Sequence, residues 1–423
     1  MAPPPDPLFA VGVGTALFNA LHKFVNNPLL AVTTSAVGAA VGEGQGEGRG
    51  AGAAGRGLQS AASSALLLSV AAGAGVSAAL LALAPAMARA AGLGEGTYAL
   101  GQAVRFLGVR AAGAAVTSAM LVSQGVFRGL GDTVTPLRAT VAANVVNLAL
   151  DPLLVFGAGL GVAGAALATV VGQGVALAWM LRRLLRRLRL RAADLVAADL
   201  GALAGLLGPT RLLVARTLAT VGTFTLATSL AAQIGTEYAA AHQVLVQLWL
   251  GASLTADALA VAAQGLMSQH LARGDAGHAA RVAGETLRLG AWLGLGLAAA
   301  VGLAAPLVPG AFSADPAVRA VVRLVMPVVA LTQPLNSMAF ALDGVLYGAS
   351  GFRQSVGVLA ASAAPAVAVM LSAGALGLRG DAAMLAVWAG LATLMGLRGA
   401  IIAAMLRARA APFERLPRAA VAA

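Results

Sequence analysis

QGVFRGLG at residues 124–131 recurs as DGVLYGASG at residues 343–351. Gly129 and Gly348 occupy the same place in the two copies, one in each half of the chain. An internal repeat over such a distance predicts an architecture of two equivalent halves.

A second pair of segments lies upstream of these copies and aligns residues 10–33 with residues 241–264. The two members of this upstream pair lie farther apart along the chain than Gly129 and Gly348 do. The first copy should therefore contain extra chain between its two matching segments. We expect it at residues 42–57, GEGQGEGRGAGAAGRG, as a flexible glycine-rich connector. Duplicated arrays of apolar spans are typical of secondary transporters.

The composition predicts a protein embedded in a lipid bilayer. Hydrophobic residues make up 59% of the chain, charged residues 10%, and the mean hydropathy is +0.85. A soluble domain carries about 25% charged residues. The net charge of +12 comes almost wholly from arginine, since Lys23 is the only lysine. In a membrane protein this excess indicates cytoplasmic loops, and we expect no nucleic-acid partner.

Motifs of enzymatic chemistry are absent from the sequence. It has no cysteine, no phosphate-cradling GxxxxGK[ST] and no HExxH, and its four histidines are scattered along the chain. The sequence therefore predicts no catalytic residues, no cofactor and no metal site.

Apolar runs of about 20 residues, the length needed to cross the hydrocarbon core, predict an all-α polytopic membrane protein of about 11 spans. Five lie in the first half and six in the second. They are residues 9–40, 58–91, 98–127, 135–158, 160–181, 205–233, 238–269, 286–309, 318–348, 354–377 and 382–406.

The two halves differ at their front ends. In the second half an apolar segment at residues 202–237 precedes His242, whereas the equivalent first-half segment begins at Ala10. We therefore expect the first helix of the first half to be missing. The predicted domains are an N-terminal lobe at 1–181, a basic linker at 182–204, a C-terminal lobe at 205–409 and a cytoplasmic tail at 410–423.

Arginines fall on alternate loops, and the opposite loops carry mostly acidic residues. The positive-inside rule makes the arginine-rich loops cytoplasmic. The densest run is RRLLRRLRLR at residues 182–191. It is interpreted as a topology anchor whose side chains reach toward the headgroups, and a site for anionic lipid is the alternative.

Four segments carry a resemblance to a known family. They are FRGLGDTVTP at 127–136, NVVNLALDPLLVF at 144–156, AHQVLVQLWLGASLTADALAVAAQGL at 241–266 and FALDGVLYG at 340–348. Together they resemble the MATE family of multidrug and toxic-compound extrusion transporters, in its DinF-like branch with plant and algal members.

The resemblance implies two six-helix lobes, a monomer and alternating access. It also implies export of small organic cations or organic acids in exchange for protons or sodium. The family's first helix, which carries a coupling acid in many members, has no counterpart here. A non-transporting remnant or incomplete gene product is therefore one alternative, and a lipid-linked precursor flippase of the same superfamily is another. Plasma membrane, vacuole and plastid envelope are all compatible locations.

Asp343 is the leading candidate for ion coupling. It lies within a predicted span, where an ionisable group is costly and marks a functional site. Its repeat equivalent is Gln124, so the fold does not require an acid there. The alternative is a carboxylate solvated near the inner end of its helix.

Arg216 and Asp257 are predicted to form a buried ion pair, because they lie at similar depths on successive antiparallel helices. The pair is either a static bridge or one that opens when a substrate or ion binds. Asn26 stands at the position of Asp257 in the first half.

Further polar residues lie within the predicted spans. Asn144, Asn147 and Asp151 share one helix face and either line a cation path or form hydrogen bonds between helices. His242 and Gln243 could relay protons, although an interfacial or hydrogen-bonded histidine is favoured. Gln264 and Gln333 could bind a substrate or join helices.

Overall fold

The described residues of the computed structural model, 7–45, 51–90, 95, 97–189 and 199–417, form a helical membrane protein. Their helices are α1 (Pro7–Gln45), α2 (Ala51–Ala90), α3 (Tyr98–Ala112), α4 (Ala114–Gly129), α5 (Val134–Pro152), α6 (Gly161–Leu188), α7 (Leu200–Ile234), α8 (Thr236–Ala272), α9 (Ala276–Ala304), α10 (Val308–Phe312), α11 (Pro316–Leu331), α12 (Gln333–Gly348), α13 (Phe352–Ala375) and α14 (Gly380–Ala408). A π-helical turn, Leu153–Gly157, extends α5.

Nine of the helical segments in these ranges are long and apolar enough to cross a membrane, and two bent helix pairs raise the number to eleven. The predicted all-α fold with about 11 spans is thus confirmed. Backbone hydrogen bonds within each helix satisfy the polar groups that the bilayer cannot.

The two bent pairs occupy equivalent positions in the repeat. The bend between α3 and α4 is 53° at Gly113, and the bend between α11 and α12 is 47° at Thr332. Gly113 precedes Gly129 by as many residues as Thr332 precedes Gly348. The local causes differ. Pro334 has no backbone N–H at the start of α12, whereas a side chain at Gly113 would meet Val170.

Glycines also bring α4 and α12 close to a partner helix. A β-carbon at Gly129 would lie 2.8 Å from the backbone oxygen of Thr34, and one at Gly348 would lie 2.8 Å from that of Gln264. Thr34 is therefore the structural equivalent of Gln264, whereas the upstream sequence alignment pairs Gln264 with Thr33. That alignment is wrong by one position in this region.

The corrected alignment changes which residue is equivalent to Asp257. Asn27 takes that place, and both of these residues are exposed. Asn26 is buried and is equivalent to Ala256, which is also buried.

Both ends of the predicted connector at residues 42–57 are helical, which the sequence did not predict. Helix α1 continues to Gln45 and α2 begins at Ala51, and residues 46–50 lie outside the described residues. A helix that is already formed gains one hydrogen bond for each residue it adds. Such propagation carries both helices into glycine-rich sequence.

The chain divides into two compact units, Met1–Arg211 and Leu212–Ala423. The division falls within α7, after the predicted linker at 182–204. Helix α6 extends to Leu188 and α7 starts at Leu200, so much of that predicted linker is helical.

Gly344 offers a test of the close contact between α12 and α8. Alanine there would place a methyl group against the backbone of Ala260. We expect Gly344→Ala to lower the free energy of unfolding by about 1–3 kcal/mol, because closely packed backbone has little room to move aside. Thermal unfolding of the purified protein in detergent measures the change.

Gly357→Ala is the matched control. A β-carbon at Gly357 would meet nothing within 4 Å, and alanine forms helix better than glycine does. Equal melting temperatures for the two variants would contradict the close packing of α12 on α8.

Candidate functional site

The second unit contains a buried cluster of two arginines and one carboxylate. Arg216 Nη2 on α7 donates to Asp343 Oδ2 on α12 at 2.5 Å. Arg398 Nε on α14 lies 3.6 Å from the same oxygen. Asp343 is 6% exposed and Arg398 is 3% exposed. We call Arg216, Asp343 and Arg398 the charge cluster.

Aromatic rings complete the surroundings of the charge cluster. The guanidinium carbon of Arg216 lies 5.5 Å from the ring centre of Tyr347, and that of Arg398 lies 5.1 Å from the ring centre of Phe340. Both rings belong to α12, as does Asp343. Their π faces attract the guanidiniums and partly replace the lost water.

Within the charge cluster itself two guanidiniums share one carboxylate, so these three residues carry a net charge of +1. The carboxylate of Asp257 also acts electrostatically on Tyr347 from α8. Several buried polar atoms of the charge cluster have no hydrogen-bond partner among the residues that the structure describes. These atoms are Arg216 Nε, Arg398 Nε, Arg398 Nη2 and Asp343 Oδ1. Unsatisfied buried donors are costly, so this site has donors available for a ligand.

Arg216 has a carboxylate partner that the sequence did not assign to it. Arg216 forms its ion pair with Asp343, and Asp257 is exposed on α8. The prediction rested on comparable depth, which does not specify the direction in which a helix face points. The carboxylate that Arg216 meets in a buried ion pair is thus that of Asp343, and an interaction of Arg216 with Asp257 stays a prediction.

Arg398 escaped the sequence analysis, although a signal was present. It is an arginine inside a predicted span, at 382–406, and such a residue marks a functional site by the same argument that selected Asp343. Its distance from Asp343 in sequence concealed the contact.

His242 and Gln333 lie in buried hydrogen-bonded positions. His242 Nε2 is 3.3 Å from Thr228 Oγ1, and the imidazole meets Trp388 edge-on at 5.6 Å between ring centres. Gln333 Nε2 donates to the backbone oxygen of Val329 at 2.9 Å. Gln333 Oε1 accepts from Asn336 at 3.4 Å.

Asn336, which the sequence analysis did not select, also donates to Ser253 on α8 at 3.0 Å. Gln333 and Asn336 therefore belong to a contact between α12 and α8. Gln264 is buried beside Gly348, whereas Gln243 is exposed.

The polar stripe on α5 is partly assembled. Asn147 Nδ2 lies 3.4 Å from Asp151 Oδ1 and 3.3 Å from Thr169 Oγ1 on α6. Asn144 is exposed on the same helix. The structure thus places Asn147 and Asp151 in a contact between α5 and α6, and it does not bring Asn144 into that contact.

The first unit contains a buried arginine that sequence reasoning also missed. Arg110 Nη1 donates to Gln173 Oε1 at 3.1 Å, and Thr117 donates to the same oxygen at 2.7 Å. The Arg110 guanidinium lies 3.8 Å from the ring centre of Phe18. Within the described part of the chain, neutral groups and a ring contact this cation, whereas a carboxylate contacts Arg216, so the two units differ in chemistry.

The prediction that the histidines are scattered is wrong at the turn between α8 and α9. His270, Asp275 and His278 offer ligand atoms within 4.8 Å of one another. Asp275 accepts from the backbone N–H and from the ring of His278, and these bonds hold the pKa of Asp275 below its usual value. The nearby Arg273 and Arg281 add positive charge, which opposes the binding of a cation.

A second group of charges lies at the turn between α4 and α5. Asp132 Oδ2 accepts from Thr135 Oγ1 at 2.8 Å and from Arg187 Nη1 at 3.1 Å, and Arg183 Nη1 donates to Thr135 Oγ1 at 2.9 Å. Partial burial acts to raise the pKa of Asp132. The Thr135 hydrogen bonds and the two guanidiniums outweigh it, so this pKa lies below its usual value.

These features define a polytopic helical membrane protein with duplicated halves and buried charge, which is the class of secondary transporters. The MatE family profile matches residues 5–153 and 213–372. The chain therefore belongs to the MATE family, whose members are transporters rather than enzymes, and it is of the plant type. The multi-pass membrane location is thereby confirmed.

Two relatives from Arabidopsis thaliana show the plant type. Protein DETOXIFICATION 43 is 38% identical over 305 residues, which are 71% of this chain and 55% of the relative. Protein DETOXIFICATION 44, chloroplastic, is 36% identical over 315 residues, which are 74% of this chain and 59% of the relative. The chain thus spans somewhat more than half the length of these relatives.

A solved MOP superfamily transporter from Pyrococcus furiosus has a similar fold, with a TM-score of 0.83 at 18% sequence identity. The match covers 96% of this chain and 88% of that chain.

The charge cluster predicts an order of stability among variants. Asp343→Asn leaves two buried guanidiniums without a carboxylate, and we expect it to cost about 3–5 kcal/mol of unfolding free energy. Arg398→Met keeps the pair of Arg216 with Asp343 and should cost less. Thermal unfolding in one detergent ranks the two variants. A lower melting temperature for Arg398→Met than for Asp343→Asn would contradict the view that both arginines share the carboxylate of Asp343.

Asp132 predicts a pH dependence. Because folding lowers its pKa, its contacts stabilise the folded state above the unfolded value near pH 4 and lose that effect as the pH falls through the folded value. We expect Asp132→Asn to lower the melting temperature at pH 7, with a difference from the unsubstituted protein that shrinks below about pH 4. Melting curves across this range check it, and a constant difference would contradict it.

Proposed function

We propose that the chain is a secondary active transporter that exports small organic molecules, organic acids rather than organic cations, in exchange for protons or sodium. The charge cluster supports this proposal. Its net positive charge and its spare guanidinium donors favour an anionic substrate, since arginine binds carboxylates in a planar, bidentate geometry. The same charge repels organic cations.

Asp343 is the proposed coupling group. Its ion pair with Arg216 joins α12 to α7, and Arg398 on α14 lies beside the same oxygen. A proton or sodium ion on Asp343 would weaken that pair and favour a second arrangement of these helices. The ion therefore favours the state in which the pair is open.

The substrate favours the opposite state. With the pair closed, Arg216 Nε and Arg398 Nη2 are buried and lack a partner, so they would donate to a carboxylate once the side chains that cover them move aside, whereas an open pair changes their positions. Two ligands that stabilise different states exchange by a shift of populations. Alternating access between two lobes would then couple outward movement of the substrate to inward movement of the ion.

Asp257, Asn147, Asp151, His242, Gln264 and Gln333 stay secondary candidates. The buried His242 and Gln333 take part in the hydrogen bonds described above. The exposed Asp257 is suited to an encounter with solvent or substrate.

Transport by the purified full chain in proteoliposomes tests the proposal. We expect an imposed proton or sodium gradient to drive movement of a labelled tricarboxylate, and not of labelled tetraethylammonium. Asp343→Asn should reduce gradient-driven transport at least about tenfold, within the range of a typical coupling free energy.

Glu285→Gln is the matched control, since Glu285 is an exposed acid on α9 whose ion pair is with the neighbouring, exposed Arg288. It should transport at the unsubstituted rate. Gradient-driven transport of the cation, or full activity of Asp343→Asn, would overturn the proposal.

A further inference from the structure

A basic cavity lies at the turn between α4 and α5, against the last turns of α6. Its volume is about 460 Å³. Its lining residues are Phe127, Asp132, Thr135, Arg183, Arg186 and Arg187. We call this space the basic cavity. All of its lining belongs to the first unit, and it is separate from the charge cluster.

The basic cavity has positive charge to spare. Arg187 is paired with Asp132, and Arg183 donates to Thr135. Arg186 makes no hydrogen bond or ion pair in the part of the chain that the structure describes, and it is exposed to the cavity. Three guanidiniums face one carboxylate, which leaves a net charge of +2.

An apolar stripe on α5 begins in the helical turn that borders the basic cavity. Large apolar side chains recur at helical spacing, and each exposes between 51% and 75% of its surface. They are Val134, Leu137, Val141, Val145 and Leu148. Val134 and Leu137 lie in the same first turn of α5 as Thr135, which lines the basic cavity, and they occupy the neighbouring, exposed side of that turn.

The charge pattern of the loops places the basic cavity at the cytoplasmic headgroup level. The α4–α5 turn and the end of α6 belong to the arginine-rich set of loops that the positive-inside rule assigns to that side. Phosphate groups of anionic lipids lie at this depth, and acyl chains lie immediately below it. Basic pockets between transmembrane helices on this side bind such headgroups.

We propose that the basic cavity binds the phosphate group of an anionic phospholipid, with an acyl chain of the same lipid along the apolar stripe of α5. Arg186 supplies the free guanidinium for the phosphate, and Arg183 and Arg187 supply further N–H groups at its edge. An arginine fork fits two phosphate oxygens. The stripe explains why a lipid fits better than free phosphate, which would leave those side chains uncovered.

The experiment uses the purified full chain in a mild detergent with added phosphatidylglycerol, phosphatidylcholine or inorganic phosphate. Native mass spectrometry counts bound lipid, and thermal unfolding reports stabilisation. We expect phosphatidylglycerol to bind and to raise the melting temperature, and the other two additions to do neither. Arg186→Gln should weaken phosphatidylglycerol binding about fivefold, the factor for one arginine at an anionic surface.

Arg182→Gln is the matched control. Arg182 belongs to the same arginine run and is exposed at the same helix end, but it does not line the basic cavity. It should bind phosphatidylglycerol as the unsubstituted protein does, and Arg186→Lys should bind more tightly than Arg186→Gln.

Three results would overturn the proposal. Equal weakening by Arg182→Gln and Arg186→Gln would indicate attraction by the whole run instead of a site. Equal binding of phosphatidylcholine would remove the role of charge. Equal stabilisation by inorganic phosphate would make the ligand a free anion and leave the α5 stripe without a role.

Discussion

The close approach of α12 to α8 is the contact on which the second unit depends. Gly344 and Gly348 have no side chain where the two helices cross, so the backbones of Ala260 and Gln264 pack directly against them. Asp343 precedes the first of these glycines. The same contact therefore buries the carboxylate and fixes its position between Arg216 and Arg398. A larger residue at either glycine would displace the acid from both arginines.

Duplication preserved this close helix packing in both units, but it did not preserve the buried charged residues beside it. The first unit keeps the glycines of α4 and the bend at Gly113, whereas Gln124 stands at the position of Asp343. Its buried cation, Arg110, is held by Gln173 and by the ring of Phe18. Backbone geometry thus repeats through the chain, and buried charge is specific to each unit. We attribute the proposed ion coupling to the second unit for this reason.

The sequence predicted the membrane spans well, and it predicted the contacts of buried charged side chains poorly. Hydropathy located the helices because burial in lipid acts along the whole length of a span, and the glycine motif identified the repeat. The ion pair of Arg216 with Asp343 was not predicted, because depth along a helix does not give its rotation. Arg398 and Arg110 were missed because their partners are distant in sequence. An alignment wrong by one position likewise exchanged the buried Asn26 for the exposed Asn27.

The bend at Thr332 has a further consequence for the backbone. Where α11 ends, the Thr332 hydroxyl donates to the carbonyls of Val328 and Val329, and Gln333 donates to that of Val329. The carbonyl of Val328 also accepts from the backbone N–H of Thr332, whereas side chains serve the carbonyl of Val329. Polar backbone at membrane depth is tolerated when such groups satisfy it. The helix therefore bends at Thr332 while the carbonyl of Val329 keeps hydrogen-bond donors, at a depth where the solvent offers no water.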